Sequence, residues 1–251
     1  METDRKPYQG VLNIIRFNWH FYLIAAIAIT VSLFVSSMLS SPFRIVILSV
    51  SVLVFASMLL SLFISYYIYD YSKLYHLEWL PRLQKDRVLT VNAGFDEISS
   101  LLKKKYPDIN LSICDFFNPK NHTEISIKRA RKAYPLDQDA ITITTSEIPF
   151  ADKKFDYTLA ILSAHEIRNH QERVAFFKEL ARVTKDEGRI IVTEHLRDLN
   201  NFLAYNIGSF HFLSKNTWKE TFLNAGIVIE NEIKLTPFIS TFILKKNGNT
   251  D

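Results

Sequence analysis

Residues 88–97 read VLTVNAGFDE: β-favouring residues close on an asparagine, then a single glycine and two acids follow. Two readings fit this order. Either a strand delivers the chain to a loop that wraps a cofactor, with Gly94 letting the main chain approach the ligand, or a buried strand runs into an ordinary turn. The flanking sequence bears on the choice.

Downstream of Arg87, short β-rich runs alternate with charged helical stretches, the pattern of an α/β domain. Strands are expected at 88–91, 110–114, 140–144, 157–162 and 189–193, the last after a turn at Gly188. Helices are expected at 96–105, around 122–134, and over 170–183, where Val174, Phe177, Leu180 and Ala181 recur on the helical period. Elements in this order build a doubly wound, mostly parallel sheet, which binds ligands at the carboxyl ends of its strands. Residues 92–97 then fall at the crevice. Two last strands, around 227–234 and 237–245, are expected to close the sheet as an antiparallel hairpin.

Upstream, residues 21–40 and 45–69 contain no charged side chain. Spanning a bilayer takes about 20 apolar residues, so both runs qualify as spans of a transmembrane helical hairpin. The first run ends without a small-residue cleavage site, which favours a retained anchor over a signal peptide. With only residues 41–44 between the runs, both outer ends lie on one side. Arg5, Lys6, Arg16, Lys73, Arg82, Lys85 and Arg87 flank the outer ends against Arg44 in the loop, which places both termini in the cytoplasm. The expected organisation is a cytosolic segment at 1–20, the hairpin at 21–69, a juxtamembrane linker at 70–86 and the α/β domain at 87–251.

The chain has 251 residues, a formal charge of +4 and one cysteine. Cys114 alone excludes an intramolecular disulfide framework and cannot make a zinc site by itself. The modest charge, with Lys103, Lys104 and Lys105 on one short stretch, reads as a solvated face or a contact to anionic lipid, and no nucleic-acid partner is expected. No metal-ligand spacing, phosphate loop or serine-hydrolase elbow stands out in the sequence, so no metal site is expected.

Four stretches resemble a class I S-adenosylmethionine-dependent methyltransferase of the group that modifies quinones and lipids. Asp115 closes the second strand where that family places an acid on the ribose hydroxyls. IPFADKKFDYTLAI (148–161), ELARVTKDEGRIIVTE (179–194) and HFLSKNTWKETFLNAGI (211–227) resemble its later motifs in order and spacing. The resemblance covers most of residues 87–246 and implies a Rossmann-like fold with S-adenosylmethionine as cofactor. By it, Asn92, Ala93, Gly94, Asp96, Asp115, Phe116, Thr144 and Thr145 would line the cofactor site. The glycine loop departs from the family pattern: its usual acid and alternate glycines are here Thr90, Asn92, Gly94 and Asp96. Asparagine tolerates left-handed backbone, and Asp96 can cap the next helix or receive an ammonium group. Thr144 stands where an acid often meets the adenine.

Methyl transfer to an oxygen is helped by a nearby base, and histidine is the usual one. His165, just after the fourth strand, His195, at the end of the fifth, and His211 with Tyr205, in the late lid segment, are the candidates. Glu166 is equally a helix-start charge or an acid. Two functions remain open. One is a membrane-anchored methyltransferase acting on a lipophilic small molecule at the cytosolic membrane face. The other is an inactive methyltransferase-like domain held at the bilayer as a binding or scaffold protein.

Overall fold

The computed structural model describes residues 5–120 and 124–248. Two long apolar helices come first, α1 (Gln9–Ser37) and α2 (Ser41–Tyr66), joined by a three-residue turn. Pro42 lies in the first turn of α2 rather than in the connection, because a proline at a helix start removes an N–H that has no partner there. The first helix begins well before the apolar run and kinks at Asn18 (φ −117°, ψ 17°). The Asn18 amide donates to the Ile14 carbonyl at 3.1 Å, a local competitor of the helical ladder. Most apolar side chains of the pair, among them Ile24, Ile27, Phe34, Val50, Leu53 and Phe63, are exposed. The hairpin is therefore not a core element of the α/β domain.

The domain is a seven-stranded sheet in the order β3-β2-β1-β4-β5-β7-β6. Its strands are β1 (Arg87–Asn92), β2 (Asn110–Asp115), β3 (Ala140–Thr142), β4 (Phe155–Ile161), β5 (Thr184–His195), β6 (Ile227–Thr236) and β7 (Ile239–Lys246). The first five pair in parallel; β7 runs antiparallel to β5 and to β6. This is the doubly wound sheet with a closing hairpin expected from the sequence.

Helices α5 (His170–Val183) and α7 (Lys215–Asn224) cover one face with Phe176, Phe177, Leu180, Trp218 and Phe222. The other face is covered by α3 (Ile98–Lys105), through Ile98 and Leu102. There Leu77, Leu80 and Leu83, from the stretch read as a linker, join Val88, Leu159 and Ile191 in a second core. Burying three leucines contributes several kcal/mol, at about 1.5–3 kcal/mol each.

Two local expectations are corrected. Gly188 does not separate two elements but lies in a bulge of β5: Thr184 pairs with Phe155 and Arg189 with Tyr157, so three extra residues are taken up on β5. A Cβ at Gly188 would stand 2.8 Å from the Asp156 carbonyl and 2.7 Å from Thr184 Cγ2, so glycine is there for close packing of β5 against β4. The helix expected around 122–134 is α4 (Ile125–Ala133), with 121–123 outside the described residues.

A polar contact ties the end of the second helix to the start of the first. Asp70, in the π-helical turn Tyr67–Tyr71 that follows α2, accepts from the Gly10 and Val11 amides at 2.7 and 2.8 Å. It thus caps α1, whose own cap residue Tyr8 makes no side-chain cap bond. Because a carboxylate at a helix start satisfies free N–H groups and meets the positive end of the dipole, Asp70→Ala should destabilise the chain by about 1–2 kcal/mol. Urea unfolding of parent and variant in the same detergent measures it; equal midpoints would show the cap to be dispensable.

Candidate active site

The crevice lies where the carboxyl ends of β1, β2, β4 and β5 meet. At the end of β1, Asn92 is buried and braces the turn: its Nδ2 donates to the Cys114 carbonyl (3.0 Å) and to Asp96 (3.3 Å), and its Oδ1 accepts from the Gly94 amide (3.2 Å). Gly94 takes φ +93°, a conformation that side chains rarely tolerate, and a Cβ there would meet the Phe117 ring at 2.9 Å. Asp96 caps α3 through the Ile98 and Ser99 amides, both at 2.9 Å. Thr90, where the family has an acid, joins Ser99 Oγ at 2.7 Å.

Asp115 ends β2 with both carboxylate oxygens engaged. Oδ1 accepts from the Phe117 amide at 2.8 Å and Oδ2 pairs with Arg131 from α4. Near it lies a narrow cleft, with room for about one water molecule, lined by Asn92, Gly94, Asp96, Arg131, Tyr134 and Leu136. The other expected cofactor residues divide. Ala93 is buried next to the loop, but Phe116 turns into the core against Phe176 (5.2 Å between rings). Thr144 is exposed, and Thr145 bonds Glu172 at 2.7 Å. Cys114 is buried, and burial with Asp115 nearby pushes its thiol up to about 12.

The four candidate chemical residues form two pairs. His165 and His211 face each other, ring centroids 5.1 Å apart. His165 Nδ1 lies 2.7 Å from Glu194 Oε2, and its backbone N–H reaches Glu194 Oε1 at 3.2 Å. A buried carboxylate only accepts, so Nδ1 carries the proton. Burial disfavours the charged ring, but Glu194 and Glu166 outweigh it and push His165 up to about 10. Held so, His165 is a hydrogen-bond donor at neutral pH rather than the free base expected of it. His211 contacts Glu124 (2.6 Å) and the Arg168 guanidinium.

His195 and Tyr205 make the second pair, edge-on at 5.7 Å, with Phe212 stacked on His195 at 4.6 Å. Both His195 nitrogens are used: Nδ1 with Asn201 Oδ1 (3.0 Å) and Nε2 with the Tyr69 hydroxyl (2.7 Å). Burial lowers its pKa to about 4. His195 is a neutral joint between β5, α6 (Leu199–Tyr205) and the end of the second N-terminal helix, which removes it as a general base.

Comparison with known proteins agrees with this architecture. Residues 121–192 match the family described as Methyltransferase domain. A demethylmenaquinone methyltransferase of Thermotoga maritima is 28% identical over 142 residues, 57% of this chain and 56% of the relative. The chain therefore spans little more than half the length of that relative. Among solved structures, a SAM-dependent methyltransferase from Aquifex aeolicus matches with TM-score 0.49 and 14% identity over 67% of this chain and 86% of that one. A geranyl diphosphate C-methyltransferase from Streptomyces coelicolor A3(2) matches with TM-score 0.47 and 11% identity over 66% and 75%. The α/β domain has the Rossmann-like fold of methyltransferases, and residues 121–192 match that family.

Within this domain several side chains at the crevice escaped sequence reading. Glu194 had one available signal: it is an acid at the end of β5, the strand beside β4, after which His165 follows. Arg131, Phe117, Glu97 and Arg168 had none, because their partners lie on distant segments.

The His195 reading has a pH consequence. Above about pH 6.5 the ring is neutral in folded and unfolded chains alike and stability does not change on its account. As pH falls from 6.5 towards 4 the unfolded chain takes up a proton that the folded one refuses, and up to about 3 kcal/mol is lost. His195→Gln should flatten that part of the stability–pH curve, measured by urea unfolding from pH 7 to 4.5; an unchanged slope would contradict a buried neutral ring.

Proposed function

We propose that this protein is an S-adenosylmethionine-dependent methyltransferase held in the bilayer by α1 and α2, acting on a lipophilic small molecule at the cytosolic membrane face. The observation that carries the reading is the pairing, in a methyltransferase domain, of a buried acid at the end of β2 with a positive-φ glycine at the end of β1. The donor set suits the cofactor: Asp115 would hold the ribose hydroxyls, Gly94 would let the methionine part lie against the main chain, and Asp96 would face its ammonium group. As arranged, the cleft is small for a ligand of this size, and Phe117 and Arg131 must turn aside to admit it. When bound, the cofactor supplies an electrophilic methyl group on a sulfonium. The chain's own part is positioning and exclusion of water, with His165 donating to an acceptor oxygen.

A lipophilic acceptor is supported by the lid. Leu199, Phe202, Leu203, Ile207 and Phe210, on α6 and the 3-10 turn after it, are all exposed. The buried side of the same segment, through Ala204 and Tyr205, packs with Ile64 and Ile68 at the end of the second N-terminal helix. An apolar patch continuous with a spanning hairpin suits insertion into the bilayer surface. Anchoring also concentrates the domain where such an acceptor dissolves. Two hydroxyls within the helices support their insertion, since Thr30 and Ser51 return their hydrogen bonds to the Ala26 and Ile47 carbonyls, which meets these donors without water.

One observation favours the second reading, a domain that no longer catalyses: Arg131 already neutralises Asp115, and Phe117 already covers Gly94. Titration calorimetry with S-adenosylmethionine separates the two. The enzyme reading expects binding by the parent, a loss of tenfold to a hundredfold in Asp115→Asn from a charge-assisted bond of about 1.5–3 kcal/mol, and tighter binding in Arg131→Met. A parent that binds nothing at millimolar cofactor belongs to the second reading.

Orientation is tested by cysteine labelling, made simple by the burial of Cys114. Ser40→Cys should react with an impermeant maleimide in intact cells, and Gly248→Cys only after permeabilisation. The opposite pattern would refute the cytosolic placement.

A further inference from the structure

We propose that His165, Glu166 and His211 form a binding site for a single divalent cation of the zinc class at the carboxyl ends of β4 and β5. One ligand atom from each of the three lies within 4.8 Å of the others. Glu166 Oε1 is 3.4 Å from His165 Nε2 and 3.7 Å from His211 Nε2. Ligand atoms about 2.0–2.1 Å from a tetrahedral ion stand roughly 3.3 Å from one another, so this spacing closes on a cation with small movements of the side chains.

The surroundings are those of a built site. Metal-bound histidines usually give their other ring nitrogen to a carboxylate, which fixes the tautomer and aims the lone pair. Here both do: His165 Nδ1 meets Glu194 at 2.7 Å and His211 Nδ1 meets Glu124 at 2.6 Å. The two Nε2 atoms are left to converge on Glu166. Entry of the ion displaces the proton on His165 Nε2; with both imidazoles then neutral, the carboxylates of Glu124, Glu166 and Glu194 against the one guanidinium of Arg168 leave two negative charges, which a dication neutralises.

Arg168 Nη2 lies against both ring nitrogens of His211, in contact with Nδ1 and 2.8 Å from Nε2, and is 3.1 Å from Glu124 Oε1. A cation already stands beside His211, and Arg168 must withdraw to Glu124 when the metal ion enters. The three ligand side chains are partly accessible, at 14%, 9% and 24%, so a fourth position is open to water or to an anionic oxygen. The proposal concerns cation binding itself and stands whether or not the chain transfers methyl groups.

The test is titration of the chelator-treated full chain in detergent with Co2+, followed by its visible spectrum, and displacement with Zn2+. The expected result is one equivalent bound at micromolar concentration or tighter, with the intense absorption of a four-coordinate ion. His165→Ala and His211→Ala should each weaken it at least a hundredfold, Arg168→Gln should tighten it, and His170→Ala, outside the cluster, should leave it unchanged. Should either alanine variant fail to fold, Glu124→Gln, which removes the carboxylate that supports His211 and receives Arg168, should still weaken binding about tenfold. A parent without the cobalt spectrum, or affinities unmoved by the cluster substitutions, would overturn the proposal and leave a network closed by protons and Arg168.

Discussion

The carboxylate of Glu97, next to the cap of α3, holds the two parts of the molecule in register. It accepts from Arg5 Nη1 at 2.5 Å, from Gln9 Nε2 at 2.8 Å and from the Tyr75 hydroxyl at 3.0 Å. Arg5 in turn lies 3.5 Å over the Tyr75 ring and donates to the Tyr69 carbonyl. One buried acid thus gathers the start of α1, the segment after α2 and the loop after β1. Removing one partner of such a pair leaves a buried charge without compensation, which costs far more than an exposed pair is worth. The hairpin therefore cannot swing freely over the crevice: Phe17 of α1 packs edge-on against Phe95 (5.6 Å), the residue after Gly94, and Asn13 takes the Tyr134 hydroxyl at 3.0 Å. The loop expected to touch the cofactor is in contact with the helices expected to touch lipid.

The two strand-end histidines show how the same side chain is set to opposite states 30 residues apart. His195 is buried and His165 partly so, and desolvation alone would keep either neutral. His195 has only uncharged partners, Asn201 and Tyr69, and stays neutral with its pKa near 4. His165 lies between Glu194 and Glu166, whose charge overcomes the same desolvation, and Glu166 is itself held well below the usual carboxylate range against its own burial by His165 and His211. Strand alternation produces the difference. Glu194 and His195 are adjacent and point to opposite faces of β5, so one serves the crevice and the other the joint to the hairpin.

The unusual β1 loop is internally satisfied rather than damaged. Thr90 ties β1 to α3 through Ser99, and Asn92 spends its amide on the turn that presents Gly94. Neutral residues at these places leave Asp115 the buried acid at the donor side, and Arg131 balances it.

From the sequence alone, the order of strands and helices was legible, because burial of one face imposes a period of two or 3.6 on local residues. The presence and apolarity of two opening helices were legible for the same local reason, as were Asp115 at a strand end and Gly94 at a turn, but the start of the first helix at Gln9, inside the segment expected to precede it, was not. Boundaries that depend on contacts were not. Gly188 looked like a turn between elements and lies instead in a bulge of β5, where Asp156 and Thr184 approach it only once β4 and β5 pair. The stretch at 70–86 looked like a linker, yet its leucines close the core under α3. The roles of the histidines were settled only by tertiary structure. His195 meets Tyr69 across 126 residues of chain and Arg131 meets Asp115 from another element. No local pattern encodes such meetings, and a charge state follows from burial and partners rather than from residue type.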